Sequence, residues 1–202
     1  MESRETLGGR ERLLRAASGL FKEGAYREVS VAQILAHAGV QPPTLYHHFG
    51  DKESLFVEWA LDALRSLGDR LREAAANHTD PVDALVACAR ALASNDRLDL
   101  LQTLRDMNVL QSPAHRESLL GAYLAEVHEP VCSVLLRAAE RGFIRPEPLS
   151  RTAALFLMGA VALSASSPLP GAATSDPAWW VWRFVQGFAP NDGETAARRP
   201  SP

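Results

Sequence analysis

The chain is poor in several kinds of residue, and each scarcity excludes a class of protein. Only two of its 202 residues are cysteine, so it is no disulfide-stabilised secreted scaffold. Its longest uninterrupted apolar run, residues 153–163, is shorter than the roughly eighteen residues that a membrane-spanning helix needs. The first residues are polar and lack the basic and apolar regions of a secretory signal. We therefore expect a cytoplasmic protein with no membrane partner.

The two cysteines, Cys88 and Cys132, both fall in the interiors of predicted helices. Free cysteine in a reducing compartment behaves as a small hydrophobic residue, and this is the simplest interpretation of both. The alternative is a redox-sensitive pair.

Sequence patterns of catalysis are also missing. The chain has no metal-ligand spacing, no glycine-rich phosphate loop and no nucleophile elbow. His128, Glu129 and Pro130 do not form a zinc motif. The adjacent His47 and His48 would point about 100° apart on a helix, which makes them poor ligands for one metal ion. We expect no enzyme, no metal site and no cofactor.

A strong excess of positive charge is absent as well. The formal net charge is −3. Residues 1–52 carry a net charge of +1, and residues 53–202 carry −4. A nucleic-acid-binding surface at the N-terminal end would therefore depend on local geometry more than on bulk attraction.

Helical patterns are what the chain does contain. Apolar residues recur at helical spacing along most of its length, and no segment reads convincingly as a strand. We predict an all-α fold of about nine helices, with Pro130 kinking or locally breaking the seventh. The expected helices span about residues 10–23, 31–38, 42–49, 51–76, 82–94, 97–111, 113–141, 150–164 and 177–188. A Pro/Ser/Gly-rich loop should occupy residues 165–176.

Residues 31–52 carry the most specific pattern. Ser30 can cap a short helix, and Gly39 follows the last apolar residue of that helix, where a left-handed turn can redirect the chain. Pro42 and Pro43 then stand where a second short helix begins, since the missing N–H groups cost nothing there. Its polar positions would remain exposed, so this second helix is suited to enter the major groove of DNA. The alternative is a helical hairpin within a bundle, with solvated histidines.

The same residues resemble the DNA-binding end of the tetracycline-repressor (TetR) family of bacterial transcription regulators, from about Leu13 to Leu55. The resemblance implies a three-helix head at residues 1–52 and a ligand-binding and dimerisation domain at residues 53–189. The polar composition of residues 190–202 predicts a disordered tail. It also implies DNA-contacting residues, carried over by position. The candidates for DNA contact are Ser30, Gln33, Gln41, Thr44, Tyr46, His47, His48 and Lys52.

These candidates differ in their expected roles. Tyr46 and His47 match positions that meet phosphate and base edges, and Lys52 matches a lysine that holds phosphate. His48 has two interpretations, one facing DNA and one packed back into the head. Two departures affect operator sequence: Leu35 stands where relatives usually have a small residue, and no basic residue occupies the start of the second short helix.

The C-terminal helices are expected to dimerise and to enclose a ligand. The eighth helix is apolar nearly all round, and the ninth is rich in aromatic residues, so a symmetric partner would cover both; the alternative is a monomeric core. The expected interface residues are Leu157, Gly159, Ala160, Val161, Trp179, Trp182, Phe184 and Phe188. The expected pocket residues are Trp59, Cys88, Leu92, Leu104, Met107, Tyr123, Val127, His128 and Phe156, each of which could equally be ordinary core.

The function that we predict is a ligand-responsive regulator of transcription. It would bind a palindromic operator in double-stranded DNA as a homodimer, act as a repressor, and be released by a small, mostly apolar effector. The alternatives are a dimeric helical regulator without an effector, or an activator. A third possible class of function is a helical interaction protein that does not bind DNA.

Overall fold

A computed structural model describes residues 8–145, 148–163 and 176–190 of the chain. Every regular element in these ranges is helical. The helices are α1 (Gly9–Glu23), α2 (Val31–Ala38), α3 (Pro42–Phe49), α4 (Lys52–Ala76), α5 (Pro81–Ala93), α6 (Leu100–Met107), α7 (Pro113–Tyr123), α8 (Glu129–Glu140), α9 (Leu149–Ala162) and α10 (Pro177–Phe188). A π-helical turn, Leu124–His128, joins α7 to α8.

The prediction of an all-α fold is confirmed. When residues 113–140 are counted as one interrupted helix, the described part of the chain contains nine helices. The largest difference from the prediction is α6, which was expected over residues 97–111. It begins later because the Asp99 side chain accepts a hydrogen bond from the Gln102 N–H and caps the helix there. The predicted loop at 165–176 and tail at 190–202 lie almost entirely outside the described residues.

The chain divides into two compact units. The first contains residues 8–65 together with Asp96–Ala122, and the second contains the other described residues. This differs from the predicted boundary at residues 52 and 53, because the first unit also takes the first half of α4 and the middle segment with α6.

Aromatic side chains form the core of the first unit. The ring of Phe21 in α1 lies 5.1 Å from that of Phe56 in α4 and 5.4 Å from that of Trp59. Tyr26, which follows α1, contacts Phe56 at 5.0 Å. Its ring also lies 6.3 Å from that of Phe21 in α1.

The π-helical turn in the second unit accommodates Pro130, as the predicted local break requires. A proline has no N–H, and its ring would clash with the carbonyl of residue 126 in a regular α-helix. The wider turn relieves this, since the N–H of Glu129 donates to the carbonyl of Leu124, five residues earlier. The same turn lies against Gly68 of α4, where a Cβ atom would come 2.8 Å from the carbonyl oxygen of Glu126.

We expect Gly68→Ala to lower the free energy of unfolding by about 1–3 kcal/mol, because a backbone carbonyl cannot move aside as a side chain can. The matched control is Gly121→Ala in α7, where a Cβ atom would meet no other atom within 4 Å. This control should stabilise by about 0.5–1 kcal/mol, since alanine favours the helix. Chemical denaturation measures both; equal effects of the two substitutions would contradict the close packing at Gly68.

One continuous helical stretch, Pro113–Glu140, is long and apolar enough to cross a membrane by length and composition alone. A core helix of a folded domain meets the same criterion. Here Val127, Val131, Val134 and Leu135 are fully buried within the second unit, so these four apolar residues are used in packing.

Candidate nucleic-acid interface

The turn between α2 and α3 has the geometry that its sequence predicts. Gly39 adopts a left-handed conformation with φ 61° and ψ 39°, and its N–H bonds to the end of α2. Pro42 and Pro43 occupy the first turn of α3. Leu45 and Phe49 of α3 are buried in the first unit. This packing fixes which face of α3 remains outside.

The outer face of α3 consists of exposed polar and aromatic side chains. Tyr46 is 55% exposed, the highest value for a large aromatic side chain in this unit. His47 and His48 are also exposed, and their rings lie 5.0 Å apart in an edge-to-face arrangement. The interpretation of His48 as packed back into the head is therefore wrong. Thr44 is half-buried and lies against Gly9 at the start of α1.

Ser30 and Gln33 are exposed, but they bond to each other. The Ser30 hydroxyl oxygen accepts from the Gln33 N–H at 3.2 Å, and the Gln33 side-chain oxygen accepts from the Ser30 N–H at 2.7 Å. This reciprocal pair is a capping box that closes the first turn of α2. Both residues thus stabilise α2 whether or not they touch phosphate.

Lys52 differs most from the role predicted for it. Its ammonium group donates to the carbonyl oxygens of Tyr26 and Val29, both at 2.9 Å, and lies 4.0 Å from the centre of the Tyr26 ring. Burial lowers the pKa of Lys52, partly offset by the charge of Asp106. The side chain thus holds the connection between α1 and α2. Replacing Lys52 would disturb the head itself, which makes it a poor probe of DNA contact.

Two buried carboxylates in the first unit were missed by the sequence analysis. Glu53, 8% exposed, accepts from the N–H groups of Gln111 and Ser112 at 2.8 and 2.9 Å, and one of its oxygens lies 2.8 Å from His115 Nδ1. Burial alone would raise the pKa of Glu53, but these three partners outweigh it and lower the pKa. Glu53 therefore ties the first turn of α4 to the connection between α6 and α7.

The second carboxylate, Asp106 at the end of α6, accepts from the backbone N–H of Tyr26 at 3.0 Å. Tyr26 is thereby held through its N–H by Asp106 and through its carbonyl by Lys52. Burial, with the charges of Glu53 and Asp51, raises the pKa of the Tyr26 phenol to about 12. These partners lie 58 to 80 positions away in the sequence and leave no local pattern, so no sequence signal would have found these two carboxylates.

Two further exposed residues join the outer surface. Pro43 stands three positions before Tyr46 and so shares its stripe of α3. Arg12 of α1 donates from its guanidinium group to the carbonyl oxygen of Gly39 at 3.2 Å. The exposed polar face of α1 could have pointed to Arg12, but its proximity to the turn could not be read from the sequence.

The predicted pocket residues are divided between the two units. Trp59, Leu104 and Met107 belong to the first unit, and the other six belong to the second. His128, one of the predicted pocket residues, has a partner at each ring nitrogen: Nε2 lies 3.1 Å from the carbonyl oxygen of Ser150, and Nδ1 lies 3.5 Å from Cys132 Sγ. Because a carbonyl only accepts, Nε2 carries a proton.

The cysteines are both free. Burial raises the pKa of Cys88 to about 12, with the charge of Arg137 opposing this, and burial with the charge of Glu129 raises the pKa of Cys132. Both remain thiols at neutral pH, as expected of small hydrophobic residues.

The predicted dimer-interface residues differ in how far they are exposed. Leu157 and Ala160 are buried inside their own unit, so neither side chain is accessible in the described protomer. Gly159 faces the ring of Trp180, which lies within its own unit. Val161, Trp182, Phe184 and Phe188 are half-buried, and Trp179 is 57% exposed. The apolar pattern of α9 could not separate its inner from its outer side, since both are hydrophobic.

Comparison with known proteins identifies the N-terminal part of the chain. Residues 13–59 match the sequence profile of "Bacterial regulatory proteins, tetR family". The HTH-type transcriptional regulator BetI of Stenotrophomonas maltophilia (strain R551-3) is 29% identical over 135 residues, 65% of this chain. The match spans 61% of that relative's length.

Solved structures share the fold over nearly the whole chain. A regulatory protein in the tetR family from Rhodococcus RHA1 superposes with a TM-score of 0.70 at 20% identity, covering 90% of this chain and 95% of that one. AibR, solved in complex with isovaleryl coenzyme A and operator DNA, gives a TM-score of 0.69 at 17% identity, covering 91% of this chain and 99% of that one. At these identities the likeness extends to the fold alone.

Proposed function

We propose that this chain is a member of the tetR family of bacterial regulatory proteins, whose profile residues 13–59 match, and that it regulates transcription by binding a palindromic operator as a homodimer. The observation that carries this proposal is the outer face of α3. A two-turn helix is marginal by itself, yet here it is anchored by Leu45 and Phe49 and presents Tyr46, His47 and His48 to the outside.

The chemistry of this face suits DNA. The Tyr46 hydroxyl and the imidazole nitrogens can hydrogen-bond with phosphate oxygens and base edges, and the flat faces of Pro43 and Tyr46 can pack on thymine methyl groups. Phosphate contacts would set the register of α3 in the major groove, and base contacts would select the sequence. With no basic residue on α3 itself apart from its histidines, affinity depends on cations elsewhere in the head.

A second copy of the chain would cover an apolar patch on the second unit. Leu155 and Met158 lie three residues apart on α9 and are 55% and 60% exposed, and Trp179 of α10 is 57% exposed. Side chains of this size exposed on adjacent helical turns are typical of a protein interface. In the interface that we propose, Leu155 and Met158 replace the buried Leu157 and Ala160, and Trp179 is kept.

The dimer is tested by Met158→Glu. A carboxylate placed in an apolar contact would be desolvated without a partner, so we expect the dimer to dissociate at micromolar concentration while the protomer stays folded. The matched control is Leu136→Glu, at an α8 residue that is also exposed, 45%, and outside the patch. Analytical ultracentrifugation distinguishes the two. A wild-type monomer, or a Met158→Glu variant that remains dimeric, would contradict the proposed interface.

The effector that we propose is a small, mostly apolar molecule that releases a repressor from DNA. Apolar candidates in the second unit support this class, since Cys88, Leu92, Val127 and Phe156 are buried there. AibR, which has the same fold, was solved with an acyl coenzyme A and its operator. A ligand would change DNA affinity only through unequal affinity for two arrangements of the protein.

A gel-shift assay tests the proposed function. Fragments from around the protein's own gene are incubated with the purified chain, with and without a panel of acyl coenzyme A thioesters and hydrophobic aromatic compounds. We expect salt-sensitive retardation of a specific fragment and its loss with at least one compound. Retardation that no compound relieves would contradict the effector, and activation of the bound promoter in a transcription assay would contradict repression.

A further inference from the structure

A groove of about 490 Å³ runs along the first unit between α1 and the end of α2. Its α1 wall is lined by Arg12, Arg15, Ala16, Gly19, Leu20 and Glu23, and its α2 wall by His37 and Ala38. We call it the α1–α2 groove. None of its residues was among the predicted contacts with DNA, so its chemistry is unassigned.

The groove begins beside α3. A Cβ atom added at Gly9 would lie 2.8 Å from Thr44 Cγ2 and 3.7 Å from His48 Nε2, so the first turn of α1 borders α3. Arg12, one turn further along α1, reaches the carbonyl oxygen of Gly39 in the turn before α3. Because residues 9, 12 and 15 follow helical spacing, they form one stripe that leads from α3 into the groove.

The charges in the groove are polarised along α1. Arg12 and Arg15 occupy its α3 end, and Glu23 stands eight residues beyond Arg15, roughly 12 Å along the helix. His37 adds a second polar group on the α2 wall, with Nδ1 held 2.8 Å from the carbonyl oxygen of Gln33. By contrast, Arg10 of α1 is engaged by Glu58 and lies over the Phe49 ring, 5.5 Å from its centre.

An arginine on the rim of a groove is suited to an anion. Guanidinium presents five donors, of which Arg12 uses one on Gly39, and phosphate oxygens match their geometry. The face of α3 supplies no lysine or arginine, so the DNA backbone must find its cations beside it. A polyanion that lies on α3 would continue past the turn at Gly39 toward Arg12 and then Arg15.

We propose that the α1–α2 groove is a second DNA contact, in which Arg12 and Arg15 hold backbone phosphodiesters that flank the base pairs read by α3. This rests on the proposed function, since it needs α3 to dock on DNA. The contact is independent of sequence: it would raise affinity for every site and fix the orientation of the head, and it would leave base selection to α3.

The test measures the dependence of DNA affinity on salt for the full-length Arg15→Gln variant. Each lost phosphate contact should reduce the slope of log K against log salt by about 1 for each half-site and weaken specific and nonspecific duplexes alike. Arg12→Gln is measured in parallel, with thermal unfolding, because Arg12 also bonds to the turn. The matched control is Arg65→Gln, which removes the same charge from an exposed position of α4 in the same unit.

Two further arms identify the anion. On a duplex trimmed to the base pairs that α3 contacts, wild type and Arg15→Gln should bind equally, because the flanking phosphodiesters are gone. Inorganic phosphate, added at constant ionic strength, should not compete, because a free phosphate makes none of the contacts with α3 that strengthen DNA binding.

Each outcome is decisive. Unchanged slopes for Arg12→Gln and Arg15→Gln on a long duplex that wild type binds would overturn this contact and leave the proposed function standing. An equal reduction by Arg65→Gln would overturn it too, since bulk charge would then explain the effect. If wild type and Arg15→Gln still differ in affinity for the trimmed duplex, or if inorganic phosphate competes fully, the groove binds an anion other than the flanking phosphodiesters and the proposal is overturned. Failure of the wild type to bind any duplex would overturn both proposals.

Discussion

Replacing Tyr46 with alanine is expected to weaken binding to the operator by about 1–3 kcal/mol, on the order of ten- to a hundredfold. The side chain is 55% exposed at the centre of the outer face of α3, so its loss removes contacts with DNA and little packing within the head. The temperature of unfolding should therefore stay the same. Fluorescence anisotropy with a labelled operator measures the affinity, and calorimetry measures the stability.

Tyr46→Phe divides the expected loss into its causes. It keeps the ring and removes the hydroxyl, so it isolates the hydrogen bond to phosphate or base from the apolar contact. If the ring contacts thymine methyl groups, the phenylalanine variant should retain most of the affinity. Wild-type affinity in Tyr46→Ala, at unchanged stability, would remove α3 from the interface.

The second large effect is expected at Glu53. Glu53→Gln should lower the free energy of unfolding by about 1–3 kcal/mol at neutral pH, because the buried acceptor loses its charge and turns a donor toward the N–H groups of Gln111 and Ser112. The exposed Glu117→Gln of α7 is the control, and it should change stability by less than about 0.5 kcal/mol.

The difference in stability between wild type and Glu53→Gln should depend on pH. The N–H groups and His115 lower the pKa of Glu53 below its usual 4.5, against the effect of burial. A carboxyl group whose pKa is lower in the folded than in the unfolded state stabilises the fold above its unfolded pKa, and this stabilisation is lost as pH falls through the folded pKa. The difference between wild type and Glu53→Gln should thus be constant near neutrality and shrink in acid. A difference that is absent at pH 7, or that grows in acid, would contradict the clamp.

Local rules explain why the head was predictable. Ser30, Gly39 and the two prolines each act within a few residues, so a cap, a left-handed turn and a helix start could be placed from the sequence. The alternation of buried Leu45 and Phe49 with exposed Tyr46 and His47 follows from helical geometry alone.

The rest of the site depends on contacts between distant parts of the chain. Lys52 looks like a surface cation in sequence, but the carbonyl oxygens of Tyr26 and Val29 draw it inward. In the sequence, Glu53 looks like an exposed residue in the first turn of a helix. In the structure it accepts hydrogen bonds from backbone N–H groups 58 and 59 residues further along the chain. In α9, an all-apolar sequence gives no sign of which side faces the protomer's own core. Leu157 was therefore assigned to the interface, and the exposed Met158 was not.

Footprinting shows whether α3 reads DNA. Hydroxyl-radical cleavage is compared for the wild type and Tyr46→Ala on fragments from around the protein's own gene. We predict two protected half-sites related by a two-fold axis, separated by about one helical turn of roughly 34 Å or somewhat more, and lost in Tyr46→Ala. A fragment that stays uniformly cleaved with the wild-type protein, or protection that Tyr46→Ala leaves unchanged, would contradict it.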